Sequence, residues 1–138
     1  MDIKGKTVAI TGAARGIGKA LAVAFAQKGA RLALIDLAKD DLAVTAALCA
    51  EAGAEARSYG CNVTREEDVV ATLNAVAADF GSLDVMLNNA GIVKDGLLVK
   101  VKDGAVVGKM SLDQWNAVLN VNLTGVFLCG REIGRAHV

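Results

Sequence analysis

Residues 11–18 read Thr11-Gly12-Ala13-Ala14-Arg15-Gly16-Ile17-Gly18. An apolar β-type run, Thr7-Val8-Ala9-Ile10-Thr11, leads into them. Lys19 to Lys28 (KALAVAFAQK), apolar at helical spacing and stopped by Gly29, leads out. A strand, a glycine turn and a helix in that order form an anion cradle. Glycines let the backbone turn sharply and approach a diphosphate, whose charge meets free N–H groups and the positive helix end. The spacing is G-x-x-x-G-x-G, not the G-x-G-x-x-G of the usual dinucleotide fingerprint, so the turn alone is also compatible with a purely structural β–α connection.

The next strand adds weight. Arg31 to Ile35 is a second buried strand ending at Asp36, 18 residues after Gly18. That is close to the roughly 20-residue offset of the acid that bonds an adenosine ribose in such folds. Further on, an Ala-rich helix is expected from about Asp40 to Ala52, stopped by Gly53, with a weaker strand over Ala54–Tyr59. Thr64-Arg65-Glu66-Glu67 has the form of a capping box opening a helix to about Phe80. A fourth strand is expected over Leu83–Asn88. Ser111-Leu112-Asp113-Gln114, a second capping box, opens a helix through Trp115, Val118, Val121 and Phe127. Strands alternating with helices predict an α/β fold, a Rossmann-type doubly wound parallel sheet, ending after the fourth strand and its following helix. Gly91–Met110 is too long for an ordinary connection. Its apolar runs flank Lys102-Asp103-Gly104, a hairpin turn signal. A surface hairpin and a flap beside the ligand crevice both fit.

Composition narrows the function classes. The 138 residues carry 15 Lys+Arg against 15 Asp+Glu, so no charge excess invites nucleic acid or an anionic membrane. No uncharged apolar run approaches the roughly 20 residues of a membrane span, and residues 1–6 have no apolar signal segment. Cys49, Cys61 and Cys129 are odd in number and contain no CxxC pair. They fit a reduced, cytoplasmic setting better than disulfides or a metal site.

Together, TGAARGIG at 11–18, Asp36, CNV at 61–63, NNAG at 88–91 and NVNLTGVF at 120–127 resemble the short-chain dehydrogenases/reductases, in the style of 3-oxoacyl-thioester reductases and polyol dehydrogenases. The resemblance runs from Lys4 to about Glu132. It implies a nicotinamide cofactor, hydride transfer between a small-molecule carbonyl and an alcohol, and a homotetramer. Carried over residue by residue, it has Gly12, Arg15, Gly16, Ile17 and Gly18 hold the phosphates and adenosine ribose. Asn62 and Val63 face the adenine, and Asn89, Ala90 and Gly91 line the nicotinamide-side ribose. Asn62 stands where relatives usually have Asp; its side-chain carbonyl is expected to accept the adenine amino proton. NNAG also fits a strand-end turn that stabilises the sheet. Asn122 matches the residue whose backbone carbonyl helps hold a water in a proton relay to the active-site lysine. Asp36 favours NAD over NADP, since a 2′-phosphate would meet like charge, while Arg15 points the other way.

The family's proton donor is a Tyr with a Lys four residues later, assisted by a Ser. Here the one tyrosine, Tyr59, is followed four residues on by Val63, and the strand and helix that carry those groups would come after this chain stops. The 138 residues are therefore expected to be inactive by themselves; a nucleotide-binding module without redox chemistry is the alternative. Residues 133–138 (IGRAHV) match translation of a sequencing-adapter read, AGATCGGAAGAGCACACGTC, entered after a GAG codon for Glu132. Residues 1–132 are thus expected to be a partial Rossmann domain and 133–138 a non-native tail, in which His137 carries no functional weight.

Overall fold

The computed structural model describes residues 2–136; His137, the expected bystander, and Val138 lie outside the described residues. Strands β1 (Thr7–Thr11), β2 (Arg31–Asp36), β3 (Ala56–Gly60) and β4 (Val85–Leu87) form one parallel sheet in the order β3-β2-β1-β4. The pairs Val8–Leu32, Ile10–Leu34, Ala9–Met86 and Leu34–Ser58 fix the register. The chain moves outward from β1 to β3, then crosses back to β4. That reversal places a crevice at the carboxyl ends of β1 and β4, where open α/β sheets bind ligands.

Both faces of the sheet are covered, which is why β1 is buried at every position. Val8, Ile10, Leu32 and Leu34 point to one side, where Ala22 and Ala26 of α1 (Gly16–Gln27) and Cys49 of α2 (Ala43–Glu51) meet them. Ala9, Ala33 and Ile35 point to the other, against Val69, Leu73, Val76 and Phe80 of α3 (Glu66–Phe80) and Leu128 and Cys129 of α5 (Gly125–Ala136). Each fully buried aliphatic side chain here contributes about 1.5–3 kcal/mol relative to an exposed one. The small alanines of α1 let it sit close on the sheet. Gly29 and Gly53 end α1 and α2 as expected. In each, the glycine N–H donates three residues back and the next N–H five back, Ala30 to Phe25 and Ala54 to Cys49, closing the last turn by the Schellman pattern.

At the opposite end of the sheet, Arg31 donates to the Phe80 carbonyl (2.7 Å) and Ser82 Oγ (3.0 Å) while its guanidinium lies 5.6 Å from the Phe80 ring centre. Arg57 covers the same ring at 5.1 Å. Asp84 accepts from the Thr7 N–H (2.8 Å) and Lys6 Nζ (3.3 Å), tying the start of β1 to the approach to β4.

Four local expectations need correction. Thr64 does not cap α3: its N–H and hydroxyl both donate to Asn62 Oδ1, at 3.0 and 2.7 Å, so Arg65 occupies the cap position without a side-chain bond. The local Asx turn is the stronger competitor for those groups. The helix expected from Asp40 is split. Lys39–Leu42 is a 3-10 turn and α2 begins at Ala43, as befits an opening that holds two adjacent aspartates of low helix propensity. The strands expected over 54–59 and 83–88 are shorter or shifted, at Ala56–Gly60 and Val85–Leu87. The helix opened by Ser111 is not uniform. It comprises α4 (Leu112–Leu119), a π-helical segment Asn120–Thr124, and α5, which continues without a break across 132–133.

The Ser111 capping box is present, with the Gln114 N–H donating to Ser111 Oγ (3.1 Å) and the Ser111 N–H to Gln114 Oε1 (2.9 Å). The hairpin forms too. β5 (Val99–Lys102) and β6 (Ala105–Lys109) pair antiparallel around Asp103 (φ 51°) and Gly104 (φ 77°), the two positive φ values of a type I′ turn.

Candidate dinucleotide site

The carboxyl ends of all four parallel strands open into one crevice of about 410 Å³. Gly12, Arg15 and Ile17 line one wall, Asp36 and Leu37 one end, Cys61, Asn62 and Val63 the floor beyond β3, and Asn89, Ala90, Gly91 and Ile92 the opposite wall. Of the residues expected from sequence, only Gly16, Gly18 and Asn122 fall outside this lining.

The glycine turn is built for close approach. A Cβ on Gly12 (φ 67°) would lie 3.0 Å from both Ala90 Cα and Asn89 Nδ2. One on Gly18 would overlap the Gly12 carbonyl and come within 2.6 Å of Asn89 Nδ2. Gly16 is required for conformation instead: its φ is 55° and the space around it is open. No side chain among the described residues caps α1, and its first turn holds no acid. The opening N–H groups of that helix are therefore uncompensated by any side chain, which suits an anion.

Asp36 is anchored to this turn. Its Oδ2 accepts the Ala14 N–H at 3.0 Å and its Oδ1 the Leu37 N–H at 2.8 Å, while its carbonyl accepts the Cys61 N–H at 2.8 Å. Each carboxylate oxygen keeps a second lone-pair direction for a hydroxyl donor. The charge is thus fixed in place beside the glycine turn. Arg15 is exposed and forms no ion pair among the described residues.

NNAG performs the sheet-stabilising role and lines the crevice at once. Asn89 Nδ2 donates to the carbonyls of Thr11 (3.0 Å) and Gly12 (3.2 Å), and the N–H groups of Asn89 and Ala90 both donate to Thr11 Oγ1 at 3.1 Å. The amide of Asn89 is therefore engaged in stapling β4 to the glycine turn, and the backbone of 89–91 is what faces the cavity. At the floor, both acceptor directions of Asn62 Oδ1 are taken by Thr64. The expected acceptor for an adenine amino group is occupied, and Nδ2 is the polar atom that remains. Val63 packs under Gly125, where a Cβ would come within 2.9 Å of Val63 Cγ2.

Asn122 sits in the π-helical segment, and its side chain clamps the backbone just past NNAG: Oδ1 accepts the Ile92 N–H (2.8 Å) and Nδ2 donates to the Ile92 carbonyl (2.9 Å). A π segment frequently marks a functional position. Here it turns Asn122 toward Ile92 while Gly125 seats on Val63. Low helix propensity at 122 was a visible signal; this bidentate side-chain role was not. Two further supports carried no signal. Thr11 Oγ1 is the hub between β1 and β4, and the buried Thr45 donates to the carbonyls of Ala13 (2.9 Å) and Ala14 (3.3 Å) from α2.

Among the described residues, Tyr59 and the cysteine thiols are poorly suited to act as acid, base or nucleophile. Tyr59 donates to Asp79 at 2.8 Å, and burial followed by that carboxylate raises its pKa, the reverse of what a proton donor near neutrality needs. All three thiols are buried and free. Burial raises Cys61, which lines the crevice, and pushes Cys129 up to about 11, so these sulfurs stay protonated. Among the described residues no group of three His, Cys, Asp or Glu could hold a metal ion, and no helix is long and apolar enough to cross a membrane.

A family model for short chain dehydrogenase matches residues 6–137. Similar proteins include D-threitol dehydrogenase of Mycolicibacterium smegmatis, 39% identical over 96% of this chain and 48% of the relative. The 3-oxoacyl-[acyl-carrier-protein] reductase of Thermotoga maritima is 39% identical over 92% of this chain and 48% of the relative. Among solved structures, an NAD+-bound xylitol dehydrogenase superposes with a TM-score of 0.83 at 37% identity, covering 99% of this chain and 49% of that one. A short-chain type dehydrogenase/reductase from Mycobacterium marinum gives 0.85 at 35% identity, covering 98% and 51%. The chain spans about half the length of the relatives it matches.

Proposed function

The chain belongs to the short chain dehydrogenase family, and from that premise we propose that it is the dinucleotide-binding portion of an NAD(H)-dependent oxidoreductase acting on a small-molecule carbonyl or alcohol. One observation carries the reading: the glycine turn, a carboxylate bonded to that turn, and the NNAG backbone line a single crevice at the switch point of the sheet. The residues fit the cofactor. Gly12 and Gly18 leave the space that a Cβ would fill, and the first turn of α1 offers its N–H groups to a diphosphate. When bound, the nicotinamide supplies hydride exchange with the substrate carbon.

This chain's own residues bind and orient. Arg15, Gly16 and Ile17 border the phosphates. Asp36 accepts from the ribose hydroxyls, and its fixed negative charge disfavours a 2′-phosphate, which supports NAD over NADP despite Arg15 nearby. Asn62 and Val63 flank the adenine, and the backbone of Asn89, Ala90 and Gly91 borders the nicotinamide-side ribose. Asn122 fixes Ile92 with its side chain, and its carbonyl, in the π segment, is proposed to hold the relay water. The reading extends to a reduced, cytoplasmic setting, favoured by three free buried thiols. It also extends to a homotetramer, for which the exposed Leu123 and Phe127 offer apolar surface. The division into a Rossmann portion over 1–132 and a read-through tail over 133–138 belongs to the same reading, and the source nucleotides test it.

Calorimetric titration of the folded 138-residue chain with NAD and NADP is the direct test. We expect binding of both with NAD tighter; a chain folded by circular dichroism that gives no heat with either coenzyme would refute the reading. A nucleotide-binding module without redox chemistry is favoured by one feature, a sole tyrosine committed to Asp79. Hydride-transfer assays on the full-length gene product separate the two.

A further inference from the structure

Cys61, Asn62 and Val63 floor the crevice beyond β3. The strand order β3-β2-β1-β4 sets this floor, Asp36 and the glycine turn side by side, at the ends of β3, β2 and β1. A dinucleotide with its diphosphate on the turn and its ribose on Asp36 therefore lays its base over residues 61–63. We propose that Asn62 sets the selectivity for that base: the floor takes a 6-oxopurine at least as well as adenine, so nicotinamide hypoxanthine dinucleotide binds as tightly as NAD or more so. The proposal rests on the dinucleotide reading above and adds a base preference to it.

The donors and acceptors of the floor carry it. Asn62 Oδ1 accepts the Thr64 N–H at 3.0 Å and the Thr64 hydroxyl at 2.7 Å, which fills both of its lone-pair directions. A backbone N–H can only donate, so the bonded atom is the amide oxygen and the free one is the nitrogen. Among the described residues, neither the two N–H bonds of Asn62 Nδ2 nor the Val63 N–H has a protein partner. The Asn62 N–H goes to Asp68 Oδ2 (3.4 Å) and the Cys61 N–H to the Asp36 carbonyl (2.8 Å). Of the carbonyls, that of Asn62 accepts the Arg65 N–H (3.0 Å). That of Val63 lies against Gly125, 3.3 Å from where a Cβ would stand. The Cys61 carbonyl remains, so three N–H bonds stand against one acceptor. Asp68, the nearest carboxylate to this peptide, is outside the crevice lining.

Adenine fits that set poorly. Its amino group is a donor between the acceptors N1 and N7, and a donor set against Nδ2 leaves both groups unpaired, which is penalised away from water. In a 6-oxopurine the same position is a carbonyl oxygen, an acceptor next to the acceptor N7, while N1–H is a single donor for a single carbonyl. The pattern of the base then matches the pattern of the floor.

The experiment titrates the 138-residue chain calorimetrically with NAD and, separately, with nicotinamide hypoxanthine dinucleotide, in which an oxo group replaces the amino group of the base. The expected result is equal affinity or a preference of up to about tenfold for the hypoxanthine form. Asn62→Asp leaves one oxygen for Thr64 and turns the free nitrogen into an acceptor, so it should shift the ratio of the two affinities toward NAD by about tenfold or more. Both ligands are measured on one sample, and a loss of folded protein does not move their ratio. NAD binding more tightly than the hypoxanthine form, or a ratio unchanged by Asn62→Asp, would each overturn the proposal while leaving the dinucleotide reading in place. Absence of heat with either ligand, from a chain folded by circular dichroism, removes that reading and the base preference with it.

Discussion

The two walls that meet at Ile92 are held in opposite ways. On the dinucleotide side, nearly every bend is fixed by a short polar side chain bonded to backbone: Thr11 and Asn89 across β1 and β4, Asp36 to Ala14, Thr45 to Ala13. On the hairpin side, Val99–Lys109 is held by its own ladder and stands exposed at almost every position. The first wall has a shape before any ligand arrives, as tight binding of a large polar cofactor requires. The second offers surface without fixed hydrogen-bonding direction.

The sharpest way to break that contrast is Gly18→Ala. The added methyl would overlap the Gly12 carbonyl, so we expect a loss of about 3 kcal/mol in stability with abolished NAD binding, read by thermal melting and calorimetry. Asp36→Ala comes next. Removing a charged acceptor for the ribose should weaken NAD about tenfold to a hundredfold and narrow the gap to NADP, measured by parallel titrations. Asn122→Ala breaks the link between the walls. It should cost about 1–2 kcal/mol in a chemical melt and leave the far Asp36 end able to bind ADP-ribose.

The hairpin side should be forgiving. Gly104→Ala places a methyl at φ 77°, a left-handed conformation that costs about 1–2 kcal/mol locally, with no change in NAD affinity. The smallest effect shows as a pH dependence. The Thr7 N–H foremost, with Ser82 and Lys6, holds the Asp84 carboxyl below its usual value of 3.8. Its stabilising contribution is complete above that value and lost as pH falls through the lower folded-state pKa. Asp84→Asn should flatten this acid limb by lowering stability at neutral pH towards its acid value, where the carboxyl is itself protonated, as read by chemical melts across pH.

What could be read from sequence follows the same division. Where backbone geometry demands a residue type, the type is a signal. Gly12 and Gly18 at the turn, Gly29 and Gly53 at helix stops, Asp103-Gly104 in the hairpin and Ser111 with Gln114 all sit where expected. The alternation of strands and helices gave the parallel sheet because both faces of β1 and β2 must be covered. Competition between local hydrogen bonds was not legible. Thr64 had two possible uses, and the Asx turn with Asn62 prevailed over the helix cap, which also removed the acceptor expected for the adenine. Nor does spacing announce the π segment, whose extra residue is settled only when Asn122 meets Ile92 and Gly125 meets Val63. Thr45 is one threonine in an alanine-rich helix, and nothing in its spacing marks a hydroxyl that lies beneath the glycine turn.

The bidentate grip of Asn122 on Ile92 has a mechanical consequence. Because both the N–H and the carbonyl of that peptide neighbourhood are pinned to a helix, any swing of residues 93–110 must pivot downstream of it. Displacement of the hairpin is thereby insulated from Ala90 and Gly91, and the crevice wall keeps its alignment while its neighbour moves.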